Sequence, residues 1–148
     1  MGPKWMQRLF EPLAKRGIKS YRKTGGTNRM SRMMGFPVVL LTTKGAKSGV
    51  ERTVSLGGFA DGDDAWLVVA SLGGSANHPA WFKNMVKHPD DIWLEVGTRK
   101  VRVTGDCLTG KTREDALNRI AAISARYGDY QKKTDREIPI VRLTRISD

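Results

Sequence analysis

The sequence predicts a mainly β chain with peripheral helices, α+β in class, built as a small antiparallel barrel, closed or split. Three observations predict it. Five or six short, apolar, β-branched runs follow one another in mostly hairpin order, bounded by turn residues. The helical patterns interrupt these runs without alternating with them strand by strand, which excludes a doubly wound parallel sheet. A length of 148 residues suits one domain, able to bury about 68–70% of its unfolded surface. No internal repeat, low-complexity segment or interdomain linker is visible. The organisation expected is a basic, amphipathic N-terminal segment at residues 1–35 and a barrel domain at 36–148, in one structural domain overall.

Composition narrows the chemistry. One cysteine, Cys107, excludes an internal disulfide framework, and with only two histidines it cannot furnish a four-ligand zinc set without carboxylates. A reducing, cytoplasmic setting is expected. No apolar run approaches the length of a membrane span, and the uncharged core of a signal peptide is missing. The net charge of +11, from 26 Lys and Arg against 15 Asp and Glu, predicts attraction to an anion. Nucleic acid, an anionic membrane surface and a polyanionic small molecule are the partner classes that charge alone leaves open.

Basic charge is densest at the start, where Lys4, Arg8, Lys15, Arg16, Lys19, Arg22, Lys23, Arg29 and Arg32 face the single acid Glu11. Trp5, Met6, Leu9, Phe10, Leu13 and Tyr21 share one half of a helical wheel, with Lys4, Arg8, Lys15, Lys19 and Arg22 on the other. This predicts a basic amphipathic helix broken or restarted at Pro12. Packing on the domain and contact with lipid are both open to it. Gly25, Gly26 and Thr27 read as a break, and Met30, Met33 and Met34 as a short helical turn filling core space.

Val38 to Leu41 reads as a buried strand, leading through Gly45 and Gly49 to a second strand within the stretch from Pro37 to Phe59. Lys44, Lys47, Ser48 and Arg52 gather at this hairpin. Glycine-freed amides, a hydroxyl and three cations in one turn suit a phosphate or carboxylate, while an ordinary solvated turn is the plain alternative. A P-loop is excluded, because Ala46 precedes Lys47 and a strand, not a helix, follows.

Ala65 to Ser71 reads as a third strand, entered through the Asp61-Gly62-Asp63-Asp64 turn. It stops at Leu72-Gly73-Gly74, where missing side chains let a ligand approach the backbone. Asn77 or His78 is expected to cap the helix that starts with Pro79 at its first position and runs through Met85. Ile92 to Val96 and Lys100 to Val103 read as a hairpin about Gly97-Thr98, with Val101 and Val103 inward. Thr112 with Asp115 opens a helix through Arg126, its apolar side formed by Ala116, Ile120, Ile123 and Tyr127, and Tyr127-Gly128-Asp129-Tyr130 closes it. The segment from Asp135 to Leu143 returns as a terminal strand.

No Ser-His-Asp set, metal cluster or paired catalytic carboxylates emerge, so an enzyme of this sequence borrows its reactivity from a cofactor. The chain resembles the deazaflavin (coenzyme F420)-dependent nitroreductase family of actinobacteria, within the flavin and deazaflavin oxidoreductases. The resemblance runs in order through PVVLLTTKGAKSGVERTVSL, WLVVASLGG, NHPAWFKNMVKHP and YGDYQKKTDREIPIVRL, about residues 36 to 143. It implies an FMN-binding split-barrel-like fold, coenzyme F420 as cofactor and hydride transfer to an electrophilic small molecule: a quinone, an activated alkene such as an unsaturated carbonyl, or a nitro compound.

By the same resemblance Lys47, Ser48, Gly49 and Arg52, with Lys44 nearby, stand where the family grips the cofactor's phosphate. Ser71, Leu72, Gly73 and Gly74 stand where its ring lies over a strand end. Pro79, Ala80 and Trp81 close that pocket. Tyr127, Tyr130 and Ser71 stand on the substrate side as candidate catalytic hydroxyls. The chain departs from a nitroimidazole-reducing member at Leu72, where that protein has Lys, at Lys133, where it has a third tyrosine, and at Leu56-Gly57-Gly58, where it has an aromatic. Two other readings stand beside this one: an FMN- or haem-binding relative on the same barrel, and a basic nucleic-acid-binding module, which charge alone supports and which lacks a recognition motif. A small-molecule substrate without nucleic acid is the expectation, in a cytoplasmic protein for which peripheral contact with the inner face of the membrane through the N-terminal helix stays open.

Overall fold

The computed structural model describes residues 15–28, 36–71, 78–132 and 137–147. Apolar alternation and turn chemistry divide them into seven strands: β1 (Val38–Lys44), β2 (Glu51–Gly57), β3 (Phe59–Ala60), β4 (Ala65–Val69), β5 (Ile92–Val96), β6 (Arg99–Cys107) and β7 (Ile140–Ser147). Helix α1 occupies 15–24, and α2 (Ala80–Lys87), α3 (Gly110–Ile123) and α4 (Ala125–Lys132) follow. All strand pairs are antiparallel, in the order β2-β1-β5-β6-β7-β4-β3. The two edge strands, β2 and β3, are separated in sequence by Gly58 alone. A sheet whose opposite edges are tied by one residue has to curl, and the Gly58 amide, donating to the Pro37 carbonyl at 3.0 Å, carries the β1–β2 pairing one residue past Gly57. The product is the split antiparallel barrel that the sequence predicts.

Period-two alternation gives this barrel an inner and an outer core. Val39 and Leu41, Trp66 and Val68, Ile92 and Leu94, Val101 and Val103, and Val141 and Leu143 fill the interior with Trp81 and Met85 of α2. The opposite face of β4 and β7, through Leu67, Val69 and Ile140, packs with Phe59 against Ala116 and Ile120 of α3 and Tyr127 of α4. Each such fully buried aliphatic side chain contributes about 1.5–3 kcal/mol, so α3 and α4 are bound to the sheet chiefly by this second layer.

Several boundaries differ from the sequence reading. A seventh strand exists because Phe59–Ala60, only two residues long, pairs with Leu67 and Trp66. β4 stops at Val69 and β7 starts at Ile140, where they pair; the next position opposes Ala70 to Pro139, which accepts the Ala70 amide at 2.9 Å but has no N–H to return. β6 runs on to Cys107 because β7 pairs with it that far. Pro79 is the N-cap of α2, not its first residue, and makes no side-chain capping bond itself; Asn77 lies outside the described residues. The His78 ring lies against Phe82, tilted by 50° with centroids 5.0 Å apart.

α3 begins at Gly110 after Thr109, two residues ahead of Thr112. Ser124 then adopts an extended backbone (φ −142°, ψ 104°), which resets the helical phase. Ile123 is therefore 56% exposed while Tyr127 is buried, and Tyr127 to Tyr130 lie inside α4 instead of closing a helix. The expected helix about Pro12, the Met30–Met34 turn and residues 72–77 lie outside the described residues.

Candidate functional site

The turn between β1 and β2 is tightly self-bonded. The Gly45 amide donates to the Val50 carbonyl at 2.8 Å and the Gly49 amide to the Gly45 carbonyl at 2.9 Å. The Val50 amide donates to Ser48 Oγ at 3.2 Å and the Ala46 amide to Asn84 Oδ1 at 2.9 Å. Gly49 takes φ +71°, a conformation that favours glycine. The expectation that glycine-freed amides serve an anion is thus corrected: those of Gly45 and Gly49 are spent inside the turn. The side chains of the turn and the Lys47 and Ser48 amides at its tip are the groups these bonds do not use. Lys47 and Ser48 are exposed at the tip, Lys44 is half-buried at the end of β1, and Arg52 is exposed on β2 opposite Thr43. Ser48 Oγ accepts the Val50 amide and keeps its own proton to donate.

Asn84 was not singled out by the sequence reading, yet it fixes this turn. Its side chain is buried, accepting from Ala46 and donating through Nδ2 to Thr43 Oγ1 at 3.1 Å. One residue of α2 thereby holds both the end of β1 and the start of the turn. The only sequence signal was an asparagine between Trp81 and Met85 on the buried side of a helix, where a polar group has to be satisfied.

Beside the turn lies a cavity of about 780 Å³ lined by Lys15, Ile18, Lys19 and Arg22 of α1, Glu51, Arg52, Thr53 and Val54 of β2, and Ala80 of α2. Its walls are largely apolar, and its charged groups are four cations against one carboxylate. A volume in the ordinary range for small-molecule sites, an apolar floor and a cationic rim suit a planar aromatic ligand carrying acidic groups. The cavity brings together Arg52 and Ala80 of the expected set. Pro79 is buried at the N-cap of α2 and Trp81 is buried in the barrel interior, and neither lines the cavity.

Ser71 is buried just past the end of β4; Leu72, Gly73 and Gly74 lie outside the described residues. Tyr127 is packed in the outer core, edge-on to Phe36 at 5.6 Å and to Phe59 at 5.5 Å. Its hydroxyl lies so close to β2 that a Cβ added at Gly57 would sit 2.5 Å from Oη and 3.0 Å from the Phe36 ring. Aromatic groups from elsewhere in the chain thus occupy the space beside Gly57. Tyr130 is in α4, and its side chain lies outside the described residues. Cys107 is exposed; desolvation first and then neighbouring Asp106 push its thiol pKa up, which disfavours the nucleophilic thiolate.

A split antiparallel barrel flanked by a cation-rimmed apolar cavity defines a cofactor-binding oxidoreductase of the flavin and deazaflavin class. A solved structure of an F420-H2 dependent reductase is 35% identical, with a TM-score of 0.65 over 72% of this chain and 93% of that one. Another, described as a domain-swapped dimer, is 31% identical, with a TM-score of 0.68 over 95% of this chain and 97% of its own. An F420H(2)-dependent quinone reductase of Mycobacterium tuberculosis is 40% identical over 114 residues, 74% of each chain. The model of the F420H(2)-dependent quinone reductase family matches residues 14–145. The chain belongs to that family; it is an oxidoreductase, and its cofactor is F420.

Proposed function

We propose that this protein reduces a quinone by hydride transfer from F420H2 bound in the cavity between α1 and β2. The observation that carries the placement is the cavity itself, with Arg52 on a largely apolar wall beside the Lys47–Ser48 turn. When bound, the cofactor supplies the hydride. The chain's part is to bind, orient and shield. Lys47, Ser48 and Arg52, with Lys44 behind them and Gly49 shaping the turn, hold the phosphate; lysine acts as a point charge and arginine as a fork. Ser71 and the Leu72-Gly73-Gly74 segment support the ring, and Pro79, Ala80 and Trp81 form the adjoining wall. A quinone receiving a hydride needs one proton to become a hydroquinone, and the Tyr130 or Ser71 hydroxyl delivers it or hydrogen-bonds the developing oxyanion. The ring of Tyr127 is buried in the outer core with its hydroxyl over Gly57, which supports β2 from that side and leaves the proton to Tyr130 or Ser71. Unsaturated carbonyls and nitro compounds are electrophiles of the same kind and follow quinones in expected rate.

The test is a fluorescence titration with the deazaflavin, followed by oxidation of its reduced form by a panel of quinones, unsaturated lactones and nitroaromatics. Arg52→Gln is expected to weaken cofactor binding at least tenfold, as loss of one charge-assisted bond at about 1.5–3 kcal/mol requires. Unchanged affinity in Arg52→Gln would remove the phosphate from this place. Tight binding of FMN with no response to the deazaflavin would overturn the cofactor reading.

A further inference from the structure

Helix α4 has eight residues, too few to hold a helix in water without tertiary contacts, and the extended backbone at Ser124 breaks its continuity with α3. Its place on the barrel is therefore set by what its side chains touch. Tyr127 fixes the first half, its buried ring edge-on to Phe36 and Phe59. Gln131, one turn further on, fixes the second half through Arg113 of α3.

Arg113 Nη2 donates to Gln131 Oε1 at 2.8 Å and to the Ile138 carbonyl at 2.7 Å, and the Ile138 amide donates to the same Gln131 oxygen at 2.9 Å. One guanidinium nitrogen and one amide oxygen thus join α3, α4 and the residues that lead into β7. The arginine side chain is only 12% exposed, and its Nε stands 3.4 Å from Glu137 Oε1, an ion-pair contact without a hydrogen bond. Ile138 is itself anchored, buried in the outer core beside Ile140. A cation so little exposed is costly unless its partners are in place, so the guanidinium holds Gln131 and Ile138 at one separation. By contrast, the exposed Lys132–Asp129 pair, 3.9 Å apart, lies within α4 and ties it to nothing else.

We infer that Arg113 is a positioning residue for quinone reduction: through Gln131 it sets where α4 carries Tyr130, the residue immediately before. Tyr130 lies between the two attachments, three residues after Tyr127 and one before Gln131, so a shift of the second half of the helix moves it directly. This rests on the reading that Tyr130 acts on the substrate side. A hydroxyl that delivers a proton or bonds an oxyanion works at about 2.6–3.2 Å, and misplacement by about 1 Å costs up to about a hundredfold in rate. Arg113, Gln131 and Ile138 line no part of the cavity between α1 and β2, so cofactor affinity is not what this clamp controls.

The experiment is a double-mutant cycle on quinone turnover by the full chain at saturating F420H2, well below the Tm of each variant. Arg113→Gln is expected to lower kcat about tenfold while changing deazaflavin Kd less than about twofold. Tyr130→Phe lowers kcat by itself, and adding Arg113→Gln to it is expected to cost less than about twofold more, because nothing is left to position. Gln131→Leu, which removes the shared acceptor, is expected to repeat both results and serves where Arg113→Gln does not fold. Gln131→Glu, whose carboxylate still accepts from both donors, is expected to keep kcat within about twofold. A role confined to stability would leave kcat per folded enzyme unchanged in every one of these variants. Losses that multiply in the double variant overturn the inference, as do unchanged kcat in both Arg113→Gln and Gln131→Leu or a Gln131→Glu that loses as much as Gln131→Leu. Failure of the underlying reading looks different and takes the inference with it: Tyr130→Phe alone turns over like the wild type.

Discussion

Asn84→Ala is expected to damage stability and cofactor binding together, although Asn84 lines no part of the cavity. The substitution removes the acceptor of the Ala46 amide at 2.9 Å and the donor to Thr43 Oγ1 at 3.1 Å. Each bond contributes about 0.5–1.5 kcal/mol net, and a polar partner left buried without replacement costs about 1–3 kcal/mol. Thr43 is buried, so its hydroxyl incurs that cost, while the Ala46 amide at the half-buried turn regains water in part. The sum is about 2–4 kcal/mol, a large share of the roughly 5–15 kcal/mol that stabilises a domain. At about 3 °C per kcal/mol for this size, Tm falls by about 6–12 °C. Urea unfolding followed by tryptophan fluorescence measures the first effect, and deazaflavin titration well below Tm the second. Freed from α2, the Lys47–Ser48 tip samples more conformers, and Kd rises about three- to tenfold. A stability loss under about 0.5 kcal/mol would refute the reasoning about the bonds. Full destabilisation with unchanged Kd would refute the link between this staple and the anion site.

Gly57→Ala places a Cβ 2.5 Å from Tyr127 Oη and is expected to cost about 1–3 kcal/mol; adding Tyr127→Phe recovers about 1 kcal/mol of it, and strict additivity in urea melts would show that the hydroxyl is not the obstacle. Burial, the largest cause, and neighbouring Glu95 raise the Tyr21 pKa, with the Gly97 hydrogen bond partly opposing them. The folded state therefore holds this proton more tightly than the unfolded chain: the contribution is fully present below the unfolded value near pH 10 and is lost as pH rises through the raised folded value. Urea midpoints measured from pH 8 to 11 are expected to fall more steeply above pH 10 in the wild type than in Tyr21→Phe, and parallel curves would contradict this. Tyr130→Phe is expected to slow quinone turnover about tenfold or more with little change in deazaflavin Kd; unchanged turnover would remove this residue from the mechanism.

The elements legible in the sequence are those whose signal is local. Gly45 and Gly49 bracketing Lys47-Ser48 marked the turn, and the alternation of Val101 and Val103 marked an inward face, because both follow from backbone conformation over a few residues. Phe59–Ala60 is shorter than any periodic pattern and exists only because β4 offers it a partner. Ser124 sits in a run that reads as one helix from Thr112 to Arg126; the extended backbone there shifts Ile123 to solvent and lets Tyr127 reach Phe36 and Phe59. Asn84 and Tyr21 escaped for a common reason. Their partners lie 38 or 41 and 76 residues away in the chain, so nothing nearby announces that an amide or a hydroxyl will be satisfied.

The turn differs from a phosphate-binding loop in the use of four of its amides. In a P-loop the backbone amides point outward and carry the anion. Here the amides of Gly45, Ala46, Gly49 and Val50 are consumed by Val50, Asn84, Gly45 and Ser48. Rigidity and charge are thereby separated: the backbone bonds, with Asn84 behind them, hold the shape, and the side chains of Lys47 and Arg52 present the charge beside the Ser48 hydroxyl. An anion held this way is gripped by long side chains at a solvent-facing rim, so its affinity falls with salt and with the loss of single cations. Catalysis then gains most if the phosphate serves as a remote anchor. In the proposed placement, binding energy collected at the rim would orient the reacting ring near Ser71, without the rim taking part in hydride transfer.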